Sequence, residues 1–180
     1  MGKHKDLIKA VLVLSALALI AGVLLGLFYQ ITYISAEELQ QRTVKKLNEF
    51  YPGDNYEIVE FVSADSDLNA NIDYFFYDNS SNVYAIVARG VKGYGGVVPM
   101  YVIIKDNAII ALQEGSISET PGVSDAAFSD GHLNKFMKDI DKLDFTSVDA
   151  ATGATYSSGA ILSSVENAVK FYKEYINSIS

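Results

Sequence analysis

The chain has 180 residues, 49% of them apolar and 12% aromatic, with three prolines; it can bury a core and does not read as disordered. A net charge of −8 and a pI near 4.7 argue against nucleic acid as a partner, because phosphate neutralisation needs a basic face. With no cysteine, and with His4 and His132 far apart in sequence, disulfides, iron–sulfur clusters, thiol catalysis, a haem ligand pair and a zinc site are excluded.

Ala10 to Tyr29 is an uncharged apolar run, and such a length spans roughly 30 Å as a helix, the thickness of a bilayer core. Lys3, Lys5 and Lys9 precede it, while Gln30, Glu37 and Glu38 follow. The positive-inside rule therefore predicts a single-pass anchor over residues 1–34, with a cytoplasmic N-terminus and residues 35–180 outside the cell membrane. Phe28, Tyr29 and Tyr33 would sit at the outer interface. A cleaved signal peptide is the rival reading. Its apolar region is shorter, and the small-residue pair Ala16 and Ala18 lies inside this run rather than after it. Gly22 and Gly26 form a G-x-x-x-G; glycine is common in such helices, so the spacing alone does not assign a packing face.

Ser35-Ala36-Glu37-Glu38 is a capping box, which predicts a helix from about Ala36 until Pro52-Gly53. The period then changes. Residues 56–62, 73–78, 83–91, 97–105 and 108–114 read as strands, with a turn at 79–82 and a two-residue hairpin turn at Asp106-Asn107. Residues 115–127 read as an irregular loop, residues 128–140 as a short helix, and Leu143–Ala150 as a strand and loop. A helix from Thr155 to Ile179 carries Ile161, Val165, Ala168, Val169, Tyr172 and Ile176 on one side. The expected fold class is α+β: one transmembrane helix, then a mostly antiparallel sheet domain flanked by helices.

The stretch Asp149 to Ser158, DAATGATYSS, concentrates hydroxyls and small residues at the start of that last helix. Two readings stand side by side. In one, Thr152 is an ordinary N-cap. In the other, the helix start is an anion site, where free N–H groups and the dipole's positive end meet hydroxyl donors, and Gly153 and Ala154 admit a bulky group. The Walker pattern is missing. Elsewhere, Tyr94 between glycines reads alone as a bulge or strand corner, and Pro121-Gly122 alone as a turn.

Together these stretches resemble a known family. Asp149-Ala-Ala-Thr152-Gly-Ala-Thr155-Tyr-Ser157 is similar to the flavinylation motif D-x-x-[ST]-G-A-T-x-[ST] of the FMN-binding subunits of the Rnf and sodium-pumping NADH:quinone reductase complexes. Lys92-Gly-Tyr94-Gly95-Gly96 resembles that family's glycine-rich strand-end motif. Glu119-Thr120-Pro121-Gly122 resembles its E-T-P-G loop. The order, the spacing and the single anchor also fit. The family usually continues with leucine and a second glycine; here Val123 and Ser124 follow, which leaves the loop's backbone path open.

The resemblance implies a membrane-anchored electron carrier with FMN bound covalently through a phosphoester on Thr155. It implies further that backbone N–H groups from Gly153 to Tyr156, with Ala154 between them, and the hydroxyls of Thr152, Ser157 and Ser158 surround the phosphate. Glu119 and Thr120 could hydrogen-bond the ring, with Val123, Tyr94 and Gly95 beside it. Asp149 serves the attaching enzyme, an FAD:protein FMN transferase, or fixes the loop. The shortness of the chain favours the G subunit of an Rnf-type ferredoxin:NAD oxidoreductase, working with other membrane subunits to move sodium ions or protons, over the C subunit of the sodium-translocating quinone reductase. Neither is a stand-alone catalyst. By elimination flavin is also the one ordinary redox group this composition can hold unaided, with a quinone or another soluble cofactor left open, and no G-x-G-x-x-G follows a strand to bind NADH. An anchored module holding a free anion or non-covalent flavin stays open, as does a structural assembly protein without flavin.

Overall fold

The computed structural model describes residues 2–53 and 55–179. Two units are distinct, Met1–Arg42 and Thr43–Ser180. In the first, helix α1 (Gly2–Thr32) is long and apolar enough to cross a membrane, and its leucines and valines from Val11 onward are exposed, as Leu14, Leu19 and Leu25 illustrate. Helix α2 (Ala36–Phe50) begins where the capping box predicts, with the Glu38 N–H donating to Ser35 Oγ at 3.1 Å. Its residues from Thr43 onward belong to the second unit.

The second unit is built on a five-stranded antiparallel meander ordered β1-β2-β3-β4-β5. The strands are β1 (Tyr56–Ile58), β2 (Ile72–Asp78), β3 (Val83–Gly90), β4 (Val98–Lys105) and β5 (Ala108–Glu114). Period-two alternation sorts their side chains to two faces. Ile86, Ala88, Met100, Val102 and Ile104 face one core, together with Ile161, Val165, Ala168 and Phe171 of helix α5 (Thr155–Ile179). Ala85, Val87, Tyr101 and Ile103 face the other, with Leu47 of α2 buried among them. Burial on both faces is why β3 and β4 read as continuous apolar runs. The hairpin turn is as expected: Asp106 and Asn107 have φ of 49° and 59°, the left-handed pair that a two-residue turn requires. Asp78 holds the β2–β3 turn, accepting from Ser80 N at 2.9 Å and from Ser81 Oγ at 3.0 Å.

Three expected elements differ. The strand expected over 56–62 ends at Ile58. It is an edge strand, and after the Val59 N–H donates to Phe75 O at 2.7 Å its remaining residues leave the ladder. Helix α3 (Ser66–Ala70), which periodicity did not suggest, forms because Asp65 Oδ1 accepts from the N–H groups of Asp67 and Leu68. The helix expected over 128–140 contracts to α4 (Asp130–Leu133). Its remainder is drawn onto the β4–β5 hairpin, where the Ile109 N–H donates to Lys138 O and the Ile140 N–H to Asn107 O, at 3.0 and 2.9 Å. In Leu143–Ala150 no strand forms; a 3-10 turn at Phe145–Ser147 opens on Asp144, whose Oδ1 accepts from Thr146 N at 3.0 Å.

Helix α5 starts at Thr155, as expected, and lies across β3 and β4. Ser164 Oγ donates to Ala88 O at 2.6 Å and Asn167 Nδ2 to Arg89 O at 3.1 Å. The crossing is close: a Cβ on Gly90 would lie 1.7 Å from the Ala160 carbonyl oxygen. This contact delivers the end of β3 to the first turns of α5.

Candidate functional site

At the end of β3 the chain enters the stretch Lys92 to Gly96. Lys92 takes the left-handed backbone, φ 67°, uncommon for a residue with a long side chain. Gly93 N donates to Gly96 O at 2.8 Å, closing a tight loop. Gly95 meets the next motif directly, since a Cβ there would sit 2.0 Å from Ser118 O. The glycine-rich loop and the Glu119 loop are thus in contact, as are those loops and α5.

Glu119 makes the join. Its side chain is buried, at 8% exposure. Oε1 accepts from the Gly95 N–H at 2.9 Å, and Oε2 accepts a short hydrogen bond from Ser157 Oγ. One carboxylate therefore touches all three motifs. After it, the carbonyl of Thr120 accepts from the N–H groups of Val123 and Ser124 and from Ser124 Oγ, at 3.1, 3.2 and 3.1 Å. The departure from the family pattern is accommodated here: Ser124 occupies the second glycine's place, buried, and closes the turn with its own hydroxyl. Thr120, Val123 and Tyr94 are exposed. A cleft of about 430 Å³ beside this loop is lined by Glu114, Ile117, Glu119, Pro121, Ser124, Asp125 and Phe128.

The start of α5 resolves the question of the cap. Ala154 O accepts the first intrahelical bond, from Ser158 N at 2.9 Å, so Ala154 and not Thr152 holds the N-cap position. Alanine has no acceptor to offer. Among the described residues no side chain accepts from the N–H groups of Thr155, Tyr156 or Ser157. Ser158 Oγ turns back to accept from Ala151 N at 3.0 Å, and Lys135 Nζ donates to Asp149 O at 3.0 Å, tying down the approach to the helix. Ser157 and Ser158 are buried, whereas Thr152, Gly153, Thr155 and Tyr156 are exposed. The two serine hydroxyls expected near a phosphate are thus committed within the protein, and so is the Glu119 carboxylate.

Thr155 opens onto a groove of about 350 Å³ lined by Val91, Lys92, Thr155, Tyr156, Gly159 and Ser163. A Cβ on Gly159 or Gly153 would meet nothing within 4 Å, so a bulky group can approach. Of the residues lining the groove, Lys92 is the cation. In sequence, Lys92 stands within its motif with nothing to assign it to the site, and Gly159 and Ser163 escaped notice. The spacing of Gly159 and Ser163, four and eight residues from Thr155, puts all three on one helix face, which was a legible signal.

These residues fit a flavin phosphate: uncapped N–H donors, a hydroxyl, a cation and open space come together where an anion is favoured. Residues 93–170 match the model of the FMN-binding domain family. The chain is also 27% identical over 183 residues to the G subunit of the ion-translocating oxidoreductase complex of Methanosarcina acetivorans, an alignment covering 95% of this chain and 97% of that protein. Both comparisons bear out the resemblance carried by the three motifs.

Proposed function

We propose that this protein, whose residues 93–170 match the FMN-binding domain family, is a membrane-anchored FMN electron carrier, the G subunit of an Rnf-type ion-translocating oxidoreductase complex, with the flavin attached through a phosphoester on Thr155. The observation that carries the reading is the exposed Thr155 at the uncapped start of α5, opening on a groove with Lys92.

In this reading Thr155 Oγ1 contributes the ester oxygen. The N–H groups of Thr155, Tyr156 and Ser157 hold the remaining phosphate oxygens with the help of the helix dipole. Lys92 balances the phosphodiester charge in a protein whose net charge is −8. Tyr94, Val123 and Tyr156, all exposed, offer apolar surface to the ring. FMN bound there supplies one- and two-electron chemistry, while the protein sets orientation and electrostatics. Attachment requires an FAD:protein FMN transferase that reads the Asp149–Ser158 stretch, and the electron partners are the other membrane subunits. With α1 as the anchor, the flavin domain lies outside the cytoplasm, where a covalent bond keeps a cofactor that could not be readily replaced. The assembly couples electron flow to movement of Na+ or H+.

The experiment is reductive titration of the full-length protein purified from its native membrane. A flavin spectrum that bleaches with dithionite and returns in air supports the carrier reading. A colourless protein from cells with a working transferase contradicts it.

A further inference from the structure

Glu119 is placed as a cross-link. It lies far in sequence from both partners, and it joins the glycine-rich loop, through Gly95 N, to α5, through Ser157 Oγ. Of the other bonds near the helix start, Ser158 Oγ to Ala151 N is internal to the attachment segment, and Lys135 Nζ to Asp149 O holds the approach to it. Ser164 and Asn167 anchor α5 to β3 more than two turns further on, which leaves Glu119, among the described residues, as the side chain outside the attachment segment that bonds to the first turn itself. Successive helical residues turn by about 100°, so Ser157 points roughly opposite to Thr155. Ser157 is 1% exposed, whereas Thr155 is on the surface. Whatever holds Ser157 inward aims Thr155 outward.

We propose that Glu119 is the positioning residue for the attachment threonine: by holding Ser157 it fixes the rotation of α5's first turn and presents the Thr155 hydroxyl in the groove beside Lys92. This rests on the reading that Thr155 carries the flavin. The carboxylate does not touch the reacting atoms; it acts through Ser157. Hydrogen-bond capacity is what the position requires. In Glu119→Gln the amide oxygen can still accept from Gly95 N–H and the amide nitrogen can donate to Ser157 Oγ, whereas Glu119→Ala severs both arms and Ser157→Ala severs one.

The test uses full-length flavin-free protein, purified transferase and FAD, with attachment followed by in-gel fluorescence and backbone order by hydrogen exchange before FAD is added. Attachment should slow by roughly ten- to hundredfold in Glu119→Ala and Ser157→Ala, the scale expected when a reacting group is misplaced by about an ångström. Glu119→Gln should stay within a few fold of wild type. Exchange should quicken at the Ser158–Ile161 amides in both severed variants, and at Gly95 in Glu119→Ala alone. Ile103→Val, a core truncation on the opposite face of the sheet, separates positioning from lost stability: it should lower the melting temperature and leave attachment unchanged. Wild-type attachment rates in Glu119→Ala and Ser157→Ala overturn the proposal. If the wild type takes no flavin, the attachment reading fails, and the exchange data decide positioning alone: an unchanged first turn in the severed variants overturns it. If Glu119→Ala does not fold, Ser157→Ala carries the same test.

Discussion

Replacing Gly90 with alanine is expected to push α5 off the end of β3. The added Cβ would start 1.7 Å from Ala160 O, where ordinary Cβ contacts stay beyond 3.0 Å, so the two backbones must part by about 1.3 Å. Gly90 does not have a positive φ, so alanine suits its backbone and the effect is steric. A shift of that size breaks the 2.6 Å bond from Ser164 Oγ to Ala88 O and the 3.1 Å bond from Asn167 Nδ2 to Arg89 O. Overpacking costs about 1–3 kcal/mol, and two lost hydrogen bonds at about 0.5–1.5 kcal/mol each add about 1–3 kcal/mol. Reduced freedom of the unfolded chain returns about 0.4–1 kcal/mol. The net loss is about 1–6 kcal/mol, which in a domain of this size lowers the melting temperature by roughly 3–20 °C. The assay is thermal unfolding in detergent followed by near-ultraviolet circular dichroism, which reports the tyrosine-rich core. Because Val91 and Lys92 follow Gly90 and wall the groove, flavin loading should fall as well. A melting temperature within about 3 °C of wild type would refute the argument that this crossing admits only glycine.

Other consequences can be checked in the same preparations. Ser164→Ala removes the hydrogen bond to the Ala88 carbonyl, which stays in the β3–β4 ladder opposite Met100, and should cost about 0.5–1.5 kcal/mol in a denaturant titration, with little change in the slope. His132 is buried, and neither ring nitrogen has a hydrogen-bond partner among the described residues. Burial, and secondarily the nearby Lys135 charge, push its pKa below the ordinary 6.5. The unfolded chain then binds a proton that the folded one refuses, so stability should fall as pH drops below 6.5. His132→Phe should flatten that part of the pH profile, and an unchanged slope would contradict the assignment. Asp139 and Asp144, held below the usual carboxylate range by hydrogen bonds from Asp141 N and Thr146 respectively, act only at lower pH and do not confuse the reading.

The parts of the fold legible in sequence are those where local preference and tertiary packing agree. The capping box at Ser35, the left-handed pair Asp106-Asn107 and the apolar stripe of α5 each specify their own element. The failures arise where one overrides the other. Residues 56–62 alternate like a strand, but at an edge with one neighbour the pairing ends after Ile58. The segment after Leu133 has helical composition, yet the β4–β5 hairpin claims its backbone through Lys138 and Ile140. Asp65 and Asp144 do the opposite, folding short helical turns too local for periodicity to register. At the site, the resemblance to the FMN-binding family brought out Thr155 and the three motifs. It did not reveal which polar groups face inward: Ser157, Ser158 and Glu119 read as ligands of the cofactor, whereas in the fold Glu119 and Ser157 join the three motif segments and Ser158 closes its own segment onto Ala151. Lys92 went unassigned because its approach to Thr155 depends on the β3–α5 crossing, a contact between distant parts of the chain.

The central claim is the bond to Thr155, and peptide mapping by mass spectrometry tests it most directly. Protein from its native membrane would be denatured and digested, with Thr155→Ala treated in parallel. The account predicts one fluorescent peptide, containing Thr155 and heavier by the mass of FMN less water, and no fluorescent peptide from the variant. An unmodified Thr155 peptide from transferase-competent cells, or flavin still covalently held by Thr155→Ala, would contradict it.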